Sequence, residues 1–155
     1  MPDVTLEIVE ATPVVLELSG NMALSRHNRS GCIMISPSIS GAPTLTTGTS
    51  KAVVRIAADL NGLILAEVGA GVTEVSSSGA VTVQMRRVRN GVSVNMLTTV
   101  ITIDQGEYDS TTATAPVINT ANDDVLTGDQ IHFDVLTAGA NVRGLVVSFT
   151  FQPIA

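Results

Sequence analysis

The chain has no tryptophan, one tyrosine and three phenylalanines, so aromatics make up only 3% of its 155 residues. A platform for stacking sugar rings is hard to build from so few. The interior has to be filled by Val, Ile, Leu, Ala and Met, through many small contacts rather than a few large rings. Cysteine occurs once, at Cys32, so no intrachain disulfide can form and nothing marks an oxidising compartment. Lysine and arginine number 8 against 14 aspartates and glutamates, a net charge of -6. Phosphate-binding surfaces are dominated by clustered cations, so no nucleic-acid partner is expected. No apolar run approaches the roughly 20 residues needed to span a bilayer. Met1-Pro2-Asp3 opens without the basic region and apolar stretch of a secretory leader. These absences lead to the expectation of a soluble protein made in a cytoplasm, with no membrane partner. Charge is scarce as well, at 14% of the chain against 45% hydrophobic residues, whereas a soluble domain averages about a quarter charged. Its surface is then either Ser, Thr, Gly and Asn or is covered by partners.

What the chain has in abundance is alternation with a period of two. Leu63 to Val75 places Ile64, Ala66, Val68, Ala70 and Val72 on one side of an extended chain, and Val81, Val83 and Met85 alternate with Thr82, Gln84 and Arg86. Ser76-Ser77-Ser78-Gly79 lies between the two runs, and the spacing predicts a β-hairpin over Gly62 to Val88 as the element the rest must cover. Ala52 to Ala57, Val92 to Ile103, Pro116 to Ile118, Gln130 to Leu136 and Gly144 to Phe151 read as further strands. In Gln130 to Leu136, Ile131, Phe133 and Val135 oppose His132 and Asp134. Asn61-Gly62, Asn90-Gly91 and Asp104-Gln105-Gly106-Glu107 are turns. No i, i+3, i+4, i+7 stripe lasts three turns, which disfavours helices. About eight strands at turn spacings of about 8–12 residues predict an all-β, antiparallel, jelly-roll-like β-sandwich. Ahead of it, Val4 to Ile8 and Val14 to Leu18 alternate on either side of Pro13 and predict a short N-terminal β arm able to pair with another chain. Ser19 to Gly48 has loop chemistry with one strand inside it. The domain reading is thus an arm and linker over 1–48 and a sandwich over 49–155.

Few residues suggest chemistry. Asn119, Asn122, Asp123, Asp124 and Asp129 could offer oxygen ligands to Ca²⁺, but their spacing fits no EF-hand loop and the same residue types close turns. Asp104, Glu107 and Asp109 read the same way. No metal site is assigned. Arg86, Arg87 and Arg89, set around a turn, suit a solvated hairpin end or an inter-subunit salt-bridge patch better than a nucleic-acid site. His27 and His132 match no nucleophile signature such as G-x-S-x-G, and His132 reads as a solvated strand histidine. Gly69 and Gly71 sit inside a strand pattern with no helix after it, so they suit close backbone approach rather than a phosphate loop. No catalytic or cofactor-binding residue is expected.

From about Gly48 to Gln152 the chain resembles a small β-sandwich module of tailed-bacteriophage structural proteins. The likeness rests on Ala52-Val53-Val54-Arg55-Ile56 with Leu60-Asn61-Gly62, on Thr82 to Arg86, Met96 to Thr99 and Ile101 to Glu107, and on Pro116 to Asn119, Asn122 to Val125, Thr127-Gly128-Asp129 and Gly144 to Val147. The resemblance implies a capsid decoration, or cement, protein, commonly trimeric, bound to the major capsid protein on the outer surface of the virion after assembly in the host cytoplasm. The alternative it implies is the receptor-binding knob of a head or tail fibre, holding a host glycan with loops such as Ser76 to Gly79 or Asn119 to Gly128. It implies no enzyme and no cofactor.

Overall fold

The computed structural model describes residues 28–39 and 41–154, so the run Val4 to Leu18 and His27 lie outside the described residues. Among the described residues eleven strands follow in order: β1 (Arg29–Met34), β2 (Gly48–Arg55), β3 (Leu63–Gly71), β4 (Val81–Arg89), β5 (Val92–Asn95), β6 (Leu97–Thr99), β7 (Ile101–Ile103), β8 (Val117–Ile118), β9 (Asp124–Val125), β10 (Gln130–Ala138) and β11 (Val146–Pro153). The only helical turn among the described residues is the 3₁₀ segment Ala58–Leu60. One sheet runs β1-β11-β3-β9 and the other β2-β10-β4-β5, with β7 beside β4 along the same margin as β5; β6 pairs β8 separately. Every pairing is antiparallel. The fold is the all-β sandwich expected, and its strand count exceeds eight because the run 92–103 breaks into three short strands, of which β5 and β7 pair β4 and β6 pairs β8, and because Asp124–Val125 adds β9.

The hairpin expected at its centre does not form. β3 lies in the first sheet between β11 and β9, and β4 lies in the second between β10 and β5. The Ser76 to Gly79 segment crosses from one layer to the other, with the Ser76 hydroxyl donating to the carbonyls of Ser78 (2.8 Å) and Gly79 (2.6 Å). Alternation reports which side of a strand is apolar but not which strand sits beside it. The two apolar faces meet across the core instead of lying in one plane. Leu63, Leu65, Ala70, Val72, Val81, Val83 and Met85 all belong to a single buried cluster.

The inward face of β3 also differs from the one expected. Leu65 stands opposite Phe151 and Glu67 opposite Thr150, which leaves Ala66 as an extra residue. Such a bulge shifts the side-chain parity by one. Leu63 and Leu65 face inward before it, Ala70 and Val72 after it, and Ile64 and Ala66 are only half-buried. In β4, and in β10 as far as Val135, the alternation holds. Ile131, Phe133 and Val135 of β10 are buried, as are Val81, Val83 and Met85 of β4. The Asn90-Gly91 turn joins β4 to β5 with φ of 51° and 79°, the two positive values that a type I′ hairpin turn requires.

All three phenylalanines gather in the core. Phe133 of the second sheet lies 5.9 Å (ring centroids) from Phe149 of the first, and Phe149 lies 5.7 Å from Phe151. Ring contacts are therefore few, but they are concentrated at one joint between the layers. The strand inside the linker-like stretch is β1, paired with β11 from Arg29↔Phe151 to Met34↔Val146. Residues 29–34 thus belong to the sandwich, which starts before the composition boundary at Gly48. Gly71 admits the close approach expected of it: a Cβ there would stand 3.4 Å from the Tyr108 carbonyl oxygen, and Val72 N–H donates to that oxygen at 2.8 Å.

Candidate functional site

Two features of the sandwich could act on other molecules: a polar seam built on β4 and an open flank at β1 and β2. The seam begins with the parity of β4. Arg87 shares the inward side with Val81, Val83 and Met85, at the end of the core, while Arg86 points to the outer face. Two of the acidic residues weighed for metal binding, Asp124 and Asp129, meet Arg87 and its neighbour Arg89. Arg89 holds Asp129 in a two-pronged contact, Nε to Oδ1 at 2.9 Å and Nη2 to Oδ2 at 2.7 Å, and its Nη2 lies 2.9 Å from Asp124 Oδ2. Arg87 Nη1 donates to the Asp124 carboxylate and, at 2.6 Å, to the Asp124 carbonyl. The three arginines are therefore not simply a solvated hairpin end. They are paired within the chain, and Arg87 and Arg89 tie β4 of one sheet to β9 of the other.

On the outer face, Arg86 Nε and Nη2 donate to Asp134, the latter at 2.9 Å, and Nη1 donates to Ser93 Oγ at 2.6 Å. Asp134 also accepts from the backbone N–H of Ser50 at 2.7 Å. Ser50 stands in a left-handed conformation (φ 52°) in an irregular stretch of β2, where Ala52 opposes Phe133 and Gly48 opposes Val135. That irregularity turns the Ser50 hydroxyl to 2.8 Å from His132 Nδ1, while His132 Nε2 lies 3.1 Å from Gln130 Oε1. A serine on an imidazole is the first contact of a nucleophilic pair. The carboxylate beside it, however, is held by Arg86 and Ser50 N–H rather than by His132. The group acts as a clamp between β2, β10 and β4. His132 is on the outer side of its strand, as expected, but is tied at both ring nitrogens. Nothing in the local sequence at Ser50 points 82 positions ahead to His132.

These contacts set the ionisation of the carboxyls. Burial opposes the charged form of Asp124, Asp129 and Asp134 and is the largest single influence on each. Hydrogen bonds from Arg89 and Arg87, from Arg89 and Leu126 N–H, and from Arg86 and Ser50 N–H respectively outweigh it, and all three sit below the usual carboxylate range. Asp123 goes the other way, raised by burial. A carboxyl depressed in the folded state adds stability above its unfolded value, about 3.9, and that stability is lost as pH falls through the folded value. Asp123 opposes the other three in part. The expected result is a melting temperature nearly flat from about pH 7 to 5 and falling steeply below about pH 4, read by calorimetry across that range. Of the remaining acidic candidates, Asp109 closes a turn by accepting from Thr111 N–H at 2.8 Å, and Asp104 accepts from Glu107 N–H through its carbonyl at 3.1 Å. Among the described residues no three His, Cys, Asp or Glu side chains converge as metal ligands.

The flanks of the first sheet are unlike one another. Beyond β3, β9 pairs with Leu63 and Ile64, and Ser110 N–H donates to Ala70 O at 3.0 Å. At the opposite margin β1 is the last strand, and among the described residues none pairs with its outer edge. β2, the last strand of the second sheet, lies against β1 on this same side. Ile33, Ile35, Ala52 and Val54 pack on the core there but stay only partly buried, and Met34 and Ile39 are 57% and 70% exposed. Comparison with protein-family models, curated proteins and solved structures finds no match, so the flank and the seam are interpreted from their own geometry.

Proposed function

We propose that this chain is a capsid decoration protein of a tailed bacteriophage, a homotrimer seated on the outer lattice of the major capsid protein. The observation that supports this reading is the open flank at β1, preceded in the chain by 28 residues carrying the alternating runs Val4 to Ile8 and Val14 to Leu18. An edge strand offers a row of backbone donors and acceptors to another chain, and an extended arm offers the same in return. In β-augmentation, main-chain hydrogen bonds supply the affinity and alternate side chains the selection. A protein that binds only the assembled lattice shifts the equilibrium toward assembly by mass action.

The seam favours this reading over a glycan-binding knob. In the loop Asn119 to Gly128, Asp124 is already held by Arg87 and Arg89, and Ser76 turns its hydroxyl inward onto its own loop. The test is to add purified protein to heads lacking it and measure occupancy by sedimentation and imaging. Full-length protein is expected to decorate the head, and removal of residues 1–20 to weaken binding at least tenfold, about 1.4 kcal/mol. Undiminished binding removes the arm from the mechanism; adhesion to host cells with no head binding overturns the decoration reading in favour of the knob.

A further inference from the structure

We infer that the open edge of β1 receives the segment Val14–Leu18 of a second copy of this chain, which adds to the first sheet as a further strand. Natural sheets blunt their edges with proline, lysine, bulges or very short strands. β1 carries none of these. It is six residues long, its only charge is Arg29, and its register with β11 is continuous through all six pairs. The inner side of this margin is unfinished, with Ile33 on β1 and Ala52 and Val54 on β2 only partly covered. Val14-Val15-Leu16-Glu17-Leu18 has the complementary pattern. Val14, Leu16 and Leu18 would face that apolar margin, and Val15 and Glu17 would face outward beside Cys32, which is exposed on the outer side of β1.

A second copy is favoured over the same chain by the length of the connection. Residues 19–28 separate the segment from β1, whereas hairpin loops are usually about two to five residues. An extended stretch of that length reaches on the order of 30 Å, ample for a neighbour, and exchange of an identical element is a low-cost route to an oligomer. The few charged residues of the chain, 14%, accord with a surface partly covered by copies of itself. The inference concerns the purified chain and stands whether or not the chain binds a capsid.

The native Cys32 makes the test direct. Opposed residues on neighbouring strands have Cβ atoms about 4.5–5.5 Å apart, close to the 3.5–4.5 Å a disulfide needs, so V15C or E17C should be oxidised onto Cys32 and L16C, on the other side, should not. The full-length variants are oxidised and run without reductant, with each also made in a Cys32→Ser background. The expected result is interchain species from V15C or E17C, at least fivefold above L16C and unmodified protein, lost with Cys32→Ser. Light scattering should at the same time show an oligomer for the full chain and a smaller mass after deletion of 1–18. A disulfide closed within one chain, equal trapping at position 16, or an unchanged mass on deletion each overturns the inference.

Discussion

Replacing Phe133 with alanine should cost about 3–5 kcal/mol of unfolding free energy, the range for truncating a buried phenylalanine. Phe133 is wholly buried, and its ring is the one through which β10 reaches Phe149 and, through it, Phe151. In a chain with three phenylalanines and no tryptophan, the other residues of the same buried cluster, such as Val83, Met85, Leu65 and Leu145, cannot swing in to fill a ring-sized void without leaving gaps of their own. The loss is large against a total stability of about 5–15 kcal/mol for a domain. Urea unfolding should show a lower midpoint with unchanged slope, since the slope tracks the surface exposed and not the packing lost. Phe133→Leu, which conserves more of the volume, should cost about 1.5 kcal/mol or less. A cost for the alanine variant no greater than for the leucine one would mean that the phenylalanine joint does not hold the layers together.

The position of Phe133 was legible from its own strand, because Ile131, Phe133 and Val135 alternate with polar residues and the irregularity between Phe133 and Val135 puts its extra residues on β2, leaving the parity of β10 intact. β3 shows where that reading stops. Its alternation is as regular on paper as that of β10, yet Ala66 is squeezed out of register opposite Thr150 and Phe151, 84 residues and more along the chain. A bulge is a property of two strands, and one strand's sequence records only half of it. The same limit hid the separation of β3 and β4, since facing layers and paired strands leave an identical period-two pattern. Turn chemistry fared better: Asn90-Gly91 needed only its own two residues to specify a tight hairpin.

At the seam, the sequence marks the charged residues, and its turn-closing reading holds for Asp129, but it does not show which of them pair. Arg86, Arg87 and Arg89 stood out as a basic run, and Asp124 and Asp129 as an acidic one, and each was weighed against an external ligand. Arg87 pairs with Asp124 and Arg89 with Asp129, 37 and 40 positions apart, while Arg86 takes Asp134, 48 apart and outside the acidic run. Ser50 and Gln130 had no local feature to mark them, because their role comes from a bulge on β2 and from the neighbouring position of β10.

Removing the Asp129 carboxylate should be the costliest single change at the seam. Asp129 is 3% exposed, receives both prongs of Arg89, and accepts the Leu126 N–H at 2.8 Å, closing the turn in which its own N–H donates to Leu126 O. Its backbone carbonyl accepts from Ile56 N–H at 2.8 Å, so the turn also anchors the end of β2. Breaking a fully buried ion pair by deleting one partner costs about 3–5 kcal/mol. Arg89 keeps 27% of its side chain in contact with solvent and retains Asp124, which brings the expectation for Asp129→Ala down to about 2–3 kcal/mol. Asp129→Asn keeps an acceptor for Leu126 N–H while losing the charge that Arg89 meets, and should cost less. The decisive measurement is the difference in pH dependence. The wild-type carboxyl is depressed in the folded protein, so its share of stability is present above the ordinary carboxylate range and disappears on acidification. Either variant should therefore lose less melting temperature than wild type between pH 5 and 2, and the stability curves should converge toward the acid end. Parallel curves would mean that Asp129 acts through packing and turn geometry alone and that its pairing with Arg89 contributes nothing to the joint between β4 and the Leu126 turn.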